Sequence, residues 1–168
     1  MKSKLINFQK KGDDRGSLVV MENNKEIPFE IKRVYYLCDT KDGIRRGFHA
    51  HHTLQQMAVC VRGSCEFLMD DGYSVEIIKL DNNYTGLMLP PYVWHEMFNF
   101  SPDCVLMVLA DNFYDEADYI RSYQDFTTEI NKMKKNKQHY CCNDKNGYTS
   151  HWNEWLVYNK FFWGQVNL

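Results

Sequence analysis

The chain has 168 residues, with 20 Lys and Arg against 22 Asp and Glu and 15% aromatic side chains. That length suits one domain with a full hydrophobic core, and a net charge of -2 argues against wholesale binding to a nucleic-acid backbone. No run of about 18 apolar residues is present to span a bilayer, and the start MKSKLINFQKKGDDRG lacks the apolar stretch of a signal peptide, so a cytoplasmic location with no membrane or nucleic-acid partner is expected.

Residues 4–9 and 17–22 read as short strands around a polar turn, Lys11–Gly16. The segment IKRVYYLCD (31–39) alternates, with Lys32, Val34 and Tyr36 on one face and Arg33, Tyr35 and Leu37 on the other. Thr40–Gly43 is a turn signal. Strands follow at 48–52, 56–62, 64–69 and 73–80, the last two joined by the tight-hairpin sequence Asp70-Asp71-Gly72. After the turn Asp81-Asn82-Asn83 come 86–91, ended by prolines, then 95–100 and 104–111. Short strands at regular spacing predict an all-β antiparallel sandwich or barrel.

From Tyr114 the pattern changes, and Ile120, Tyr123, Phe126 and Ile130 recur at helical spacing. The remainder is polar and then sharply aromatic, with Trp152, Trp155, Phe161, Phe162 and Trp163 in need of a surface to pack on. The chain therefore divides into residues 1–130 and a C-terminal extension, 131–168, whose role the sequence leaves open. Of six cysteines, Cys60, Cys65 and Cys104 lie inside apolar strand-like runs and read as free buried thiols. The neighbours Cys141 and Cys142 fit no zinc spacing.

His49 and His51 stand two apart just before an apolar run. On a strand, residues two apart share a face, so both imidazoles project into whatever that face encloses. Two such rings point to a metal site or to an acid/base pair.

The spacing around them resembles the first cupin motif, through Gly43, His49, His51, position 56 and Gly63; Pro90, His95 and Asn99 match the second. The resemblance implies a double-stranded β-helix, a jelly-roll barrel. Position 56, where cupins carry a metal-binding glutamate, is Gln56, and Tyr92 stands where a glycine is usual. Gln is a poor, neutral ligand, which moves the balance from metal binding toward acid/base work. A metal-dependent dioxygenase using His49, His51 and His95 remains an alternative, as does a non-catalytic sugar-binding cupin.

The stretches IKRVYYLCDTKDGIRRGFHAHHTLQQ, GSCEFLMDDG, PPYVWHEMFNFSPDCVLMVLA and YDEADYIRSYQDF resemble the WxcM-like sugar 3,4-ketoisomerases over residues 4–130. The resemblance implies a ketone moved from C4 to C3 of dTDP-4-keto-6-deoxy-D-glucose, with dTDP-3-keto-6-deoxy-D-galactose as product, in deoxyamino-sugar biosynthesis. Such a shift needs a base at C3 and an acid at C4, and no metal or redox cofactor in principle. The resemblance makes His49 the base and His51 and Tyr35 its helpers. Arg33 and Arg46 are the arginines suited to the pyrophosphate, and His95 and Asn99 are placed near the sugar. In the turn Asp14-Arg15-Gly16, Arg15 is expected to help set the face on which C4 is reprotonated. Fold and resemblance together imply a homodimer with exchanged N-terminal strands.

Overall fold

The computed structural model describes residues 3–143. Its strands are β1 (Leu5–Asn7), β2 (Lys10–Asp13), β3 (Gly16–Val19), β4 (Arg33–Leu37), β5 (Arg46–His51), β6 (Gln56–Arg62), β7 (Cys65–Asp70), β8 (Val75–Leu80), β9 (Thr85–Leu89), β10 (Trp94–Phe98), β11 (Val105–Ala110) and β12 (Tyr119–Ile120). They form two five-stranded sheets, ordered β1-β9-β6-β11-β4 and β12-β5-β10-β7-β8, and a separate β2-β3 hairpin. Every pairing is antiparallel. The all-β antiparallel sandwich expected from the strand spacing is thus present, as two separately hydrogen-bonded sheets rather than one closed barrel, in keeping with the jelly roll that the cupin resemblance implies. No described helix is long and apolar enough to cross a membrane.

Alternation along the strands builds the core. Ala58 and Cys60 of β6, Cys65, Phe67 and Met69 of β7, Leu87 and Leu89 of β9, Met97 of β10, and Leu106 and Val108 of β11 are buried together. Each large apolar side chain so buried contributes roughly 1.5–3 kcal/mol. On β4 the period of two is plain: Arg33, Tyr35 and Leu37 are half-buried while Val34 and Tyr36 are exposed.

Two expectations are corrected. The polar stretch Lys11–Gly16 is largely strand: β2 pairs with β3 as far as Asp13 opposite Gly16, and only residues 14 and 15 turn. The helix does not begin at Tyr114. Glu116–Asp118 is a single 3-10 turn, Tyr119 and Ile120 pair with β5, and helix α1 runs Tyr123–Asn143. Ser122 starts it, its carbonyl accepting from Phe126 N and its hydroxyl from Asp125 N at 3.2 Å. The helical spacing of Ile120 is coincidental: this residue is buried by strand pairing.

The chain divides into two compact units, Met1–Ile130 and Asn131–Leu168. In the first, Phe126 and Ile130 of α1 are buried. The aromatic cluster from Trp152 to Trp163 lies outside the described residues.

Candidate active site

Cross-strand pairing collects the site. In the β5–β10 register His49 lies opposite His95, and in the β5–β12 register His51 lies opposite Tyr119. Residues opposite one another on neighbouring strands hold their side chains side by side. The ring centroids of His49 and His95 are accordingly 4.4 Å apart, those of His51 and Tyr119 4.3 Å, and those of His49 and His51 4.9 Å.

A bulge aims these rings. After His95–His49 the register shifts, so that Glu96 faces Gly47 and Phe48 is the extra residue. Gly47 has φ +91°, and a Cβ there would stand 2.7 Å from His95 O. Only glycine fits both the conformation and the approach.

Each histidine has one ring nitrogen committed. His49 Nδ1 is 3.0 Å from Gly47 O, and His95 Nδ1 is 3.3 Å from Val93 O. A carbonyl only accepts, so both Nδ1 atoms carry the proton and both Nε2 atoms keep a lone pair. His51 Nδ1 donates to Asp118 Oδ2 at 3.0 Å, and its Nε2 is buried with no hydrogen-bond partner among the described residues. Asp118 is itself held by the Thr53 and Leu54 N–H groups and the Thr53 hydroxyl. Burial lowers the pKa of all three imidazoles, that of His51 to about 4, with the adjacent His49 as the second cause. All three are neutral at neutral pH, ready to accept protons.

Tyr35 and Arg33 occupy the facing sheet. The Tyr35 hydroxyl accepts from Gln56 Nε2 at 2.8 Å, which leaves its own proton free to donate. Burial raises its pKa to about 12, so it stays protonated. The Arg33 guanidinium lies 5.2 Å from the Tyr35 ring and 5.7 Å from the Tyr114 ring, and its Nε is buried with no partner among the described residues. Arg33 also helps to depress the pKa of His51. A cleft lined by Arg33, Thr53, Leu54, Asp118 and Tyr119 opens beside it.

The structure therefore brings His49, His51 and His95 together and sets Tyr35 and Arg33 on the facing sheet. It leaves three predicted residues apart from them. Arg46, at the start of β5, is exposed, and its side chain makes no hydrogen bond or ion pair among the described residues. Asn99 is exposed just past β10, roughly 13 Å along the strand from His95, and donates to Glu66 Oε2 at 3.1 Å. Arg15 sits at the tip of the β2–β3 hairpin, ion-paired with Asp13. The second-motif spacing places Asn99 by analogy, but four residues of extended chain carry it to the other end of the barrel.

Sequence reasoning missed Asp118 and Tyr119, because the whole segment from Tyr114 has the look of a helix. Ser122 followed by Asp125 is the available signal: it is a helix start, and it leaves Asp118 and Tyr119 before the helix. In the sequence Gln56 is only a lost ligand; in the fold it is the residue that orients Tyr35. Among the described residues, the one group of His, Cys, Asp or Glu side chains whose ligand atoms all lie within 4.8 Å of one another is Cys60, Cys65 and Cys104.

Residues 1–131 match the WxcM-like, C-terminal family (FdtA). A TDP-4-oxo-6-deoxy-α-D-glucose-3,4-oxoisomerase of Aneurinibacillus thermoaerophilus is 54% identical over 138 residues, 82% of this chain and 99% of that protein. A 3,4-ketoisomerase structure from Helicobacter canadensis is 47% identical with a TM-score of 0.75, covering 78% of this chain and 98% of its own. QdtA, a sugar 3,4-ketoisomerase from Thermoanaerobacterium thermosaccharolyticum solved in complex with TDP, is 41% identical with a TM-score of 0.76, covering 78% of this chain and 96% of its own.

Proposed function

This chain belongs to the WxcM-like FdtA family, and we propose on that premise that it is a 3,4-ketoisomerase of dTDP-4-keto-6-deoxy-D-glucose. It moves the ketone from C4 to C3 in deoxysugar biosynthesis. The observation that carries the chemistry is the state of His49: half-buried, its Nδ1–H tied to Gly47 O, its Nε2 lone pair free, and its pKa held below the usual histidine value by burial. That is a base able to work at neutral pH.

In the proposed reaction, His49 Nε2 takes the C3 proton, which the C4 ketone has made acidic. Electrons from the C3–H bond form the C3–C4 double bond, and negative charge collects on O4. Tyr35, whose hydroxyl proton is free, donates to that oxygen. The enediol then gives the proton of its C3 hydroxyl to His51 and takes one at carbon C4 from the His49 imidazolium, whose proton exchanges with solvent, which leaves the ketone at C3 and His49 again neutral. His51, backed by Asp118, carries the hydroxyl proton. The proton count is unchanged from substrate to product, so the isomerisation is redox-neutral overall.

Arg33, with its unpartnered Nε, is assigned to the pyrophosphate. Arg46 and Asn99 are less suited to contacts within one subunit. The β2–β3 hairpin pairs with neither main sheet, and its Leu18 is 60% exposed. Exchange of this hairpin in a cytoplasmic homodimer would cover it and carry Arg15 to a partner's site. The product is then dTDP-3-keto-6-deoxy-D-galactose. A proton NMR spectrum of the product formed from dTDP-4-keto-6-deoxy-D-glucose tests reaction and stereochemistry together: a 3-keto sugar with an axial C4 hydroxyl is expected, and an unchanged 4-ketone overturns the proposal.

A further inference from the structure

At the opposite end of the sandwich from the histidines lies a second group of reactive side chains. Cys60 ends its burial run four residues along β6 from Gln56, roughly 13 Å away. Cys65 opens β7 and Cys104 immediately precedes β11. All three are buried free thiols, and their sulfur atoms lie within 4.8 Å of one another. Cys60 Sγ stands 3.7 Å from Cys104 Sγ and 3.0 Å from Arg62 O. Three chain segments thus converge three sulfurs on one point, and none of them is used by the proposed chemistry.

The loops around the trio are tied down. Ser64 N donates to Ser101 Oγ at 2.8 Å, Ser101 N to Ser64 O at 2.8 Å, and Cys104 N to Ser101 O at 2.9 Å. Three sulfurs no more than 4.8 Å apart, two of them 3.7 Å apart, leave a central point within about 2.8 Å of each, close to the ~2.3 Å of a metal–thiolate bond.

Charge decides what such a point can hold. Zinc wants a fourth ligand, and among the described residues no other His, Cys, Asp or Glu side chain joins these three sulfurs as a donor. Three thiolates around a divalent or monovalent ion also leave net negative charge in an apolar core, which is costly. A trivalent centre bound to three sulfurs is neutral. We infer that Cys60, Cys65 and Cys104 form a binding site for trivalent arsenic, taken up as uncharged arsenous acid. Each exchange breaks one As–O bond and forms one As–S bond, and the thiol proton leaves with the hydroxide as water. Three exchanges release three waters, and arsenic stays trivalent.

The test uses the full-length reduced enzyme and sodium arsenite, without dithiol reductants. Intact mass should gain one arsenic and lose three hydrogens per chain, and Tm should rise by several degrees as the ligand pins the folded state. Arsenic X-ray absorption of the wild-type adduct should show three sulfur neighbours. Cys60→Ser, Cys65→Ser and Cys104→Ser should each lose the adduct while keeping ketoisomerase activity, and the combined Cys38→Ser, Cys141→Ser, Cys142→Ser variant should retain it. No adduct, two sulfurs and one oxygen around arsenic, displacement of arsenic by equimolar zinc, or an adduct lost with Cys141 and Cys142 would each overturn the inference. The absorption result stands even if the serine variants do not fold.

Discussion

Asp118 Oδ2 accepts from His51 Nδ1 at 3.0 Å, across 67 residues of sequence. The same carboxylate gathers the Thr53 and Leu54 N–H groups, so its own position is fixed before it fixes the imidazole. It holds His51 in the Nδ1–H tautomer and opposes the depression of its pKa. Asp118→Asn should therefore lower kcat by about 10–100-fold with a smaller effect on KM, and should shift the acid limb of the pH profile downward. Unchanged kcat would remove Asp118 from the proton path.

Stability should depend on pH through the same histidines. His51 titrates near 4 in the folded chain against about 6.5 unfolded, and burial lowers His49 and His95 as well. As the pH falls from 6.5 to 4 the unfolded chain takes up protons that the folded chain refuses. The stabilisation is fully present above pH 6.5 and is lost through that window. His51 alone contributes about 3 kcal/mol, at roughly 1.4 kcal/mol for each pH unit between the two values. Urea midpoints measured at pH 7.5, 6 and 5 should fall steadily; a flat series would mean that the rings are not buried neutral.

Gly47→Ala tests the bulge. The added Cβ meets His95 O at 2.7 Å in a backbone conformation, φ +91°, that alanine resists. A loss of about 2 kcal/mol or more is expected, together with a fall in kcat beyond what a destabilised but intact site would show. Denaturant unfolding and kcat at a temperature where the variant is folded measure the two effects; wild-type values for both would show that the bulge does not aim the histidines.

Arg15→Ala tests stereochemistry. Arg15 is exposed at a hairpin tip and ion-paired only locally, so its loss should leave stability unchanged. The C4 configuration of the product, read by NMR, should shift from galacto toward gluco. An unchanged configuration would show that Arg15 has no part in the choice of face.

The fold was legible where period-two alternation and turn chemistry agreed, as in β4 and in the β7–β8 hairpin around Asp71 and Gly72. His49 and His51 were legible because two residues apart on a strand means one face. What the sequence hid was non-local. Tyr119 reaches the histidines only because β12 pairs with β5, and no spacing in the chain encodes that pairing. The apparent helical period from Ile120 masked it. Asn99 lies apart from the histidines for a related reason: the motif spacing carries it past the end of β10, four residues of extended chain beyond His95.

The role of His49 is tested most directly by proton exchange at C3 of dTDP-4-keto-6-deoxy-D-glucose in deuterium oxide, followed by proton NMR with wild-type enzyme and with His49→Asn. Wild-type enzyme should move the ketone to C3 and place deuterium at C4, while His49→Asn, still folded by circular dichroism, should leave the C3 proton in place. Undiminished loss of the C3 proton in His49→Asn would contradict the assignment of His49 as the base.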